Sequence, residues 1–346
     1  MSMEILDYQI IYIDNIAGVA NIAEFQETEN IDQYTHNLLI RAKSQQDRRY
    51  KFNENKRTTR DRILGIALNK SIGNFGVELG KDLACSEKDK NVEIKPLKKQ
   101  IPLGVLIVAY CKDEDGEFVL LLKSDYDKFI SEATGKIQSG LSLKNQIFKT
   151  CQLTVLRNEH DVEFSEITTS DSNKRQSEYW HKNFLELIPV YSDTENTNKA
   201  YEAIKKDILK PLQKVSTSDY YTIKHHTIAY FRQSGSFDID YYRDHILGTY
   251  NPHDPEKVNI DHLKAKVDKI KKSKSFDSVF TKDTTAVKDR IKGSYKLTSE
   301  LDLKVKSDFP NPENIILPYE ENERKGITII SKRGYDFAKN IHEDKI

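Results

Sequence analysis

The sequence predicts an α+β protein: an N-terminal domain with a central antiparallel sheet flanked by helices, then a mostly helical C-terminal domain ending in a small terminal β-unit. Three observations predict it. Two strongly apolar runs flank a turn in IPLGVLIVAYCKDEDGEFVLLLK (101–123), which makes a hairpin at the centre of a sheet. Helical spacing of apolar residues recurs before and after it, and NIILPYE and GITIISK read as short strands near the end. A chain of 346 residues has room for two domains, expected at 1–190 and 191–346.

DYQIIYID (7–14) is an early strand through Ile10, Tyr12 and their β-branched neighbours, and NIAEF (21–25) is placed to pair with it. Ile31, Tyr34, Leu38 and Ala42 then recur at helical spacing after Asn30, a residue type that caps helices. This helix leads directly into a basic segment. TTRDRILGIALN predicts a second helix, capped by Thr58 or Thr59, with Ile63, Ile66 and Ala67 on one face. Gly73, Gly76 and Gly80 are expected to break the pattern there, and the hydrophilic KDLACSEKDKNVEIKP, with Pro96, to form a loop.

After the hairpin, whose turn falls on Asp115 and Gly116, DVEFSEITTS (161–170) supplies a third strand through Val162, Phe164 and Ile167. A charged loop then enters QSEYWHKNFLEL, which holds the only tryptophan. Trp180, Phe184 and Leu187 stand at i, i+4 and i+7, one apolar face of a helix, so the tryptophan is expected in a core. TNKAYEAIKKDILKPLQK, interrupted by Pro211, and TSDYYTIKHHTIAYFRQ are two consecutive helices. FDIDYYRDHILG and DHLKAKVDKIKKS add further helical pattern, and YKLTSELDLKVKSDF begins the small antiparallel β-unit.

Composition narrows the function classes. No run approaches the roughly 18 apolar residues of a membrane helix, and MSMEILDYQIIYID lacks the basic start of a secretory signal. Cys85, Cys111 and Cys151 are far apart and form no CxxC, which suits a reducing compartment. A soluble, cytoplasmic protein is expected. The formal net charge is zero, but the charge is unevenly spread. Residues 1–40 carry seven acidic side chains and no Lys or Arg; residues 41–62 carry nine basic and three acidic ones. KVNIDHLKAKVDKIKKSK (257–274) adds seven Lys against two Asp. Each run alone reads as a solvated helix face; together on one surface they would make a polyphosphate-binding patch.

Catalytic constellations are sparse. Asp82, Asp89, Glu93 and Lys95 imitate the acidic pair plus E-x-K that positions a metal and an attacking water in nucleases, yet such a motif belongs on a buried strand. His225 and His226 diverge by about 100° on a helix and cannot easily share an ion; with His245, His253 and His262 they read as surface or capping residues. TGKIQSG lacks the glycine spacing and hydroxyl of a P-loop, and GxSxG and HExxH are absent. Neither an enzyme nor a cofactor is expected.

In its order of elements, the chain resembles the NdpA-type (NdpA-like, YejK-like) nucleoid-associated protein family of bacteria. An amphipathic helix enters a basic segment (31–62), and a strongly apolar hairpin follows (103–123). A strand and a loop then lead into YWHKNFL (179–185), and the chain closes with a strand, GITII (326–330), and a short helix from Tyr335 to Ile341. The resemblance implies a DNA-binding protein located at the nucleoid, without known catalysis, forming a homodimer and touching the topology machinery. The polar stretch before the hairpin, GKDLACSEKDKNVEIKPLKKQ, departs from it, and no DNA-contacting residue is carried across.

The expected function is therefore DNA-backbone binding through basic patches with little sequence specificity. The residues nominated are Arg48, Arg49, Lys51, Lys56, Arg57 and Arg60, then Lys264, Lys266, Lys269, Lys271 and Lys272. Related folds occur in phage defence, so one alternative is an effector or adaptor that binds foreign DNA or a phage protein. Another is a protein-interaction role in which acidic residues 1–40 mimic DNA, and a third is the metal-dependent nuclease built on Asp82, Glu93 and Lys95.

Overall fold

The structure, a computed structural model, describes residues 3–26, 28–45, 47–130, 132, 135–141, 148–159, 161–172, 176–287, 293–298, 300–305, 315–321 and 324–343. It has the α+β architecture that the sequence predicts and two compact units, Met1–Val287 and Lys288–Ile346. The first unit runs β1 (Glu4–Asp14), β2 (Val19–Ile22), α1 (Glu29–Lys43), β3 (Arg48–Phe52), α2 (Thr58–Asn69), α3 (Phe75–Ile94), β4 (Gly104–Asp113), β5 (Gly116–Ile130), β6 (Ile137–Leu141), β7 (Phe148–Arg157), β8 (Val162–Asp171) and β9 (Leu187–Pro189). It continues through α4 (Asp193–Ile204), α5 (Lys210–Val215), α6 (Thr217–Arg232), β10 (Ser236–Asp238), α7 (Ile239–Tyr241), α8 (Ile260–Lys272) and β11 (Val279–Thr281). Tyr179–Phe184, Lys205–Leu209 and Tyr242–Leu247 are π-helical turns.

An antiparallel sheet in the order β2-β1-β4-β5-β7-β8-β3-β9, with β6 on the outer part of β5, organises the first part. The hairpin β4–β5 is central, and its strands are apolar throughout because both faces are covered. Val105, Ile107, Ala109 and Cys111 meet Tyr34, Leu38, Leu39 and Ala42 of α1. Leu106, Val108 and Tyr110 face the opposite core, with Ile63 and Ile66 of α2, Leu79 and Leu83 of α3, and Trp180. Trp180 is fully buried, stacks obliquely on Phe184 at 5.2 Å and donates from Nε1 to the Thr150 carbonyl at 3.3 Å.

Several local expectations are corrected. Asp113 pairs with Gly116, so the hairpin turn is Glu114–Asp115; Asp113 Oδ1 accepts from the N–H groups of Asp115 and Gly116, and Gly116 takes φ +127°. Thr28 and Arg57, not Asn30 or Thr58/Thr59, stand at the helix N-caps, and Thr59 instead donates its hydroxyl to the Phe184 carbonyl. Leu187 is not on the tryptophan helix: Glu186, at φ +55°, ends it, and Leu187 begins β9. β7 is a strand that the sequence pattern does not announce.

The largest correction is α3, which runs through Gly76, Gly80 and the supposed loop as far as Ile94. A Cβ on Gly80 would lie 2.6 Å from Ile11 Cγ2, so glycine is what lets this helix approach β1. The segment is hydrophilic because one face alone is buried, through Leu79, Leu83, Ala84 and Glu87, and Pro96 falls in the 3-10 turn Lys95–Leu97 after the helix.

The boundary expected after residue 190 falls inside the first unit. Apolar burial does change hands there: the helical part builds its core from Tyr201, Phe231, Phe237, Tyr242 and Phe280, all beyond 190. Polar contacts join the two parts. Arg48 pairs with Asp193 at 2.8 Å, Arg49 with Asp277 at 2.9 Å, and Val279 N–H donates to the Asp47 carbonyl at 3.1 Å. Pro211 stands in the first turn of α5, directly after a π-helical turn that accommodates it.

The second unit contains the expected small β-unit: β12 (Gly293–Lys296) pairs with β13 (Asp302–Val305), β14 (Ile316–Glu321) with β15 (Arg324–Ile329), and α9 (Lys332–Glu343) follows. Among the described residues no helix is long and apolar enough to cross a membrane.

Candidate nucleic-acid interface

The core beneath α1 takes its fully buried partners from β1, β4 and β5. Farther along the same face, β8 turns Glu166, Thr168 and Ser170 outward while Ile167 joins the opposite core, and β3 likewise turns Arg49 outward and Tyr50 inward. This polar strip lines a groove of about 1260 Å³. Arg41, Lys43 and Ser44 at the end of α1 form one wall; Asp240, Arg243, Asp268, Lys271, Lys272 and Lys274 form the other.

Both basic runs therefore contribute to one groove. Arg49, from the first run, donates from Nη1 to the carbonyl of Lys274, the last residue of the second, at 2.6 Å. The carboxylates are in the same place, however. Lys271 pairs with Asp240 at 2.7 Å, Lys274 with Glu166 at 2.9 Å, and Arg243 with Asp240 at 3.0 Å, Asp268 at 2.8 Å and Asp244 at 2.7 Å. Arg49 is held by Asp277, and Lys43 by Asp113. Basic residues also crowd the last turns of α1 and α8 for a local reason, since the free carbonyls at a helix C-terminus favour positive charge.

The nominated residues separate into two groups. Arg48, only 7% exposed, lies over the Tyr50 ring and binds Asp193 and the Tyr191 carbonyl; it and Arg49 tie the helical part to the sheet. Lys51, Lys56, Arg57 and Arg60 are exposed and have no ion-pair partner among the described residues. On α8, Leu263, Val267 and Ile270 point inward, which at about 100° per residue puts Lys264 and Lys271 on one flank and Lys266 and Lys269 on the other. The five lysines are not one stripe, a point that a helical projection of the sequence already contains. Lys269 and Lys272 are exposed, and Lys264 and Lys266 partly so. Arg41, Lys43, Arg243 and Lys274 line the groove without having been nominated; Arg243 lies outside both runs, and no sequence pattern marks it.

The other candidates are dispersed. Asp82, Asp89 and Glu93 lie on the outward side of α3, Asp82 bound to Arg62 and Glu93 to Lys90, and Lys95 follows in the 3-10 turn, so the motif is not on a buried strand. Among the described residues no three His, Cys, Asp or Glu side chains are grouped to hold a metal ion. Burial lowers the pKa of His225, and His226 and His253 pack against Tyr250. The His262 N–H is capped by Asn259, and His245 packs on Tyr241 at 4.6 Å.

Comparison with known protein families finds no matching family model, and comparison with curated proteins finds no match.

Proposed function

We propose that the protein binds the sugar–phosphate backbone of DNA with little base readout, through the cations that no carboxylate among the described residues holds. The observation that supports this reading is the direct bond from Arg49 to the Lys274 carbonyl, which brings two distant basic runs to one groove. Among the described residues, their uncommitted members are Lys51, Lys56, Arg57 and Arg60 from one run and Lys266, Lys269 and Lys272 from the other, and of these Lys272 alone lines the groove. Binding of this kind releases counterions, so affinity falls with salt and scarcely with sequence. The reading carries with it the nucleoid location and homodimer implied by the NdpA-type resemblance, and it includes no catalytic step.

The test is a fluorescence-anisotropy titration of two unrelated duplexes at several salt concentrations. Lys51→Glu/Arg57→Glu/Arg60→Glu is expected to weaken binding equally on both duplexes and to flatten the salt dependence by about 0.9 for each phosphate no longer neutralised. Unchanged affinity would remove the reading.

A protein partner, including a phage component, is a second reading, favoured by the carboxylates Glu166, Asp240 and Asp268 set among the groove's cations. Mixed charge suits a polypeptide better than a polyphosphate. Retention of a partner by the wild type in high salt, with no DNA bound in low salt, would decide for it.

A further inference from the structure

We infer that the groove holds part of its cationic surface in reserve: Glu166 and Asp240 occupy Lys274 and Lys271, Asp240, Asp244 and Asp268 share Arg243, and DNA phosphates must displace them. This rests on the DNA-binding reading above. The Glu166, Asp240 and Asp268 side chains are 29%, 44% and 47% exposed, and their partners Lys274, Lys271 and Arg243 are 56%, 41% and 27% exposed. Ion pairs so open to water are weak and exchange partners at little cost. The Arg49–Asp277 pair differs, because the Asp277 side chain is fully buried and belongs to the framework.

These pairs lie along the wall that α8 shares with residues 240–243, next to Lys272, which has no ion-pair partner among the described residues. A phosphate approaching Lys272 meets Lys271, Arg243 and Lys274 already engaged. Each exchange replaces one anion by another, so the groove binds DNA less tightly than its number of cations would allow. The carboxylates thus set the affinity, and neutralising them strengthens binding.

The experiment compares the full-length wild type with Glu166→Gln/Asp240→Asn/Asp268→Asn, using a short mixed-sequence DNA duplex as probe. A matched variant, Glu93→Gln/Glu178→Gln/Glu202→Gln, makes the same change in net charge and removes the pairs of these carboxylates with Lys90, Lys182 and Lys205, outside the groove. The groove variant, which frees Lys274 and Lys271 and leaves Arg243 with Asp244, is expected to bind about tenfold tighter than wild type with little change in salt slope, because the same phosphates are neutralised in both. An equal gain in the matched variant reduces the effect to bulk charge and overturns the inference. Binding by the wild type with no gain in the groove variant also overturns it and leaves the DNA-binding reading standing. If neither binds, both fall. Should circular dichroism show the triple variant unfolded, Glu166→Gln alone, which frees Lys274, is expected to gain about threefold.

Discussion

Glu87 of α3 meets Lys123 of β5 inside the protein, Oε1 to Nζ 3.2 Å, with neither side chain more than 1% exposed. Asn15 donates to the other oxygen of Glu87 at 2.9 Å, and Lys123 also donates to Asp125 and to the Pro102 carbonyl. Burial raises the pKa of Glu87. At Lys123 burial acts to lower the pKa, but Glu87 and Asp125 outweigh it and keep the ammonium charged. The pair fixes α3 over the sheet at the end opposite its glycines.

Lys123→Met is expected to cost about 3–5 kcal/mol, because Glu87 is left charged and buried without a counter-ion. Lys123→Met/Glu87→Leu should recover much of that loss. Urea unfolding of both variants measures it, and a double variant less stable than Lys123→Met would refute the account.

Gly80→Ala is expected to cost about 1–3 kcal/mol, since the added methyl meets Ile11 and forces α3 away from β1. The urea midpoint should fall with an unchanged slope. No change in the midpoint would show that the helix moves freely.

Arg49 and Lys51 lie two residues apart on β3 and should respond differently. Arg49→Ala strands the buried Asp277 carboxylate and should cost about 3–5 kcal/mol. Lys51→Ala, with no ion-pair partner to strand among the described residues, should stay within about 0.5 kcal/mol of wild type. Arg49 is thus a poor probe of DNA binding, and similar unfolding midpoints for the two variants would contradict this division.

Glu117 supplies a pH dependence. Burial would raise its pKa, but hydrogen bonds from Tyr110, Lys70 and Arg157 outweigh burial and bring it to about 2. A carboxylate lowered on folding stabilises fully above its unfolded pKa of about 4.3. That contribution is lost as pH falls through the folded pKa of about 2. Glu117→Gln should therefore be destabilised at neutral pH and converge on wild type as the solution is acidified across this window. A deficit independent of pH would refute the assignment.

Much of the fold was legible because periodicity follows burial. The runs of β4 and β5 are apolar at every position since both faces are covered, and α2 begins and ends where TTRDRILGIALN does. α3 was not legible: its glycines mark a close approach to β1 that appears only once the helix is docked, and a helix buried on one face alone reads as hydrophilic. The groove was half legible. Two basic runs announce positive charge, but the carboxylates that engage it come from β8 and residues 240–268, and pairing across such distances leaves no local pattern. Arg48 and Arg49 looked like their exposed neighbours because strand alternation alone does not say which face meets another part of the protein.

Among the described residues, no apolar cluster draws on both sides of residue 190; ionic and hydrogen-bonded contacts carry the connection. Cooperativity between the sheet and the helical part is then under electrolyte control. Scanning calorimetry should record one heat-absorption peak in dilute buffer, resolving into two as added salt weakens the coupling while each core keeps its own enthalpy.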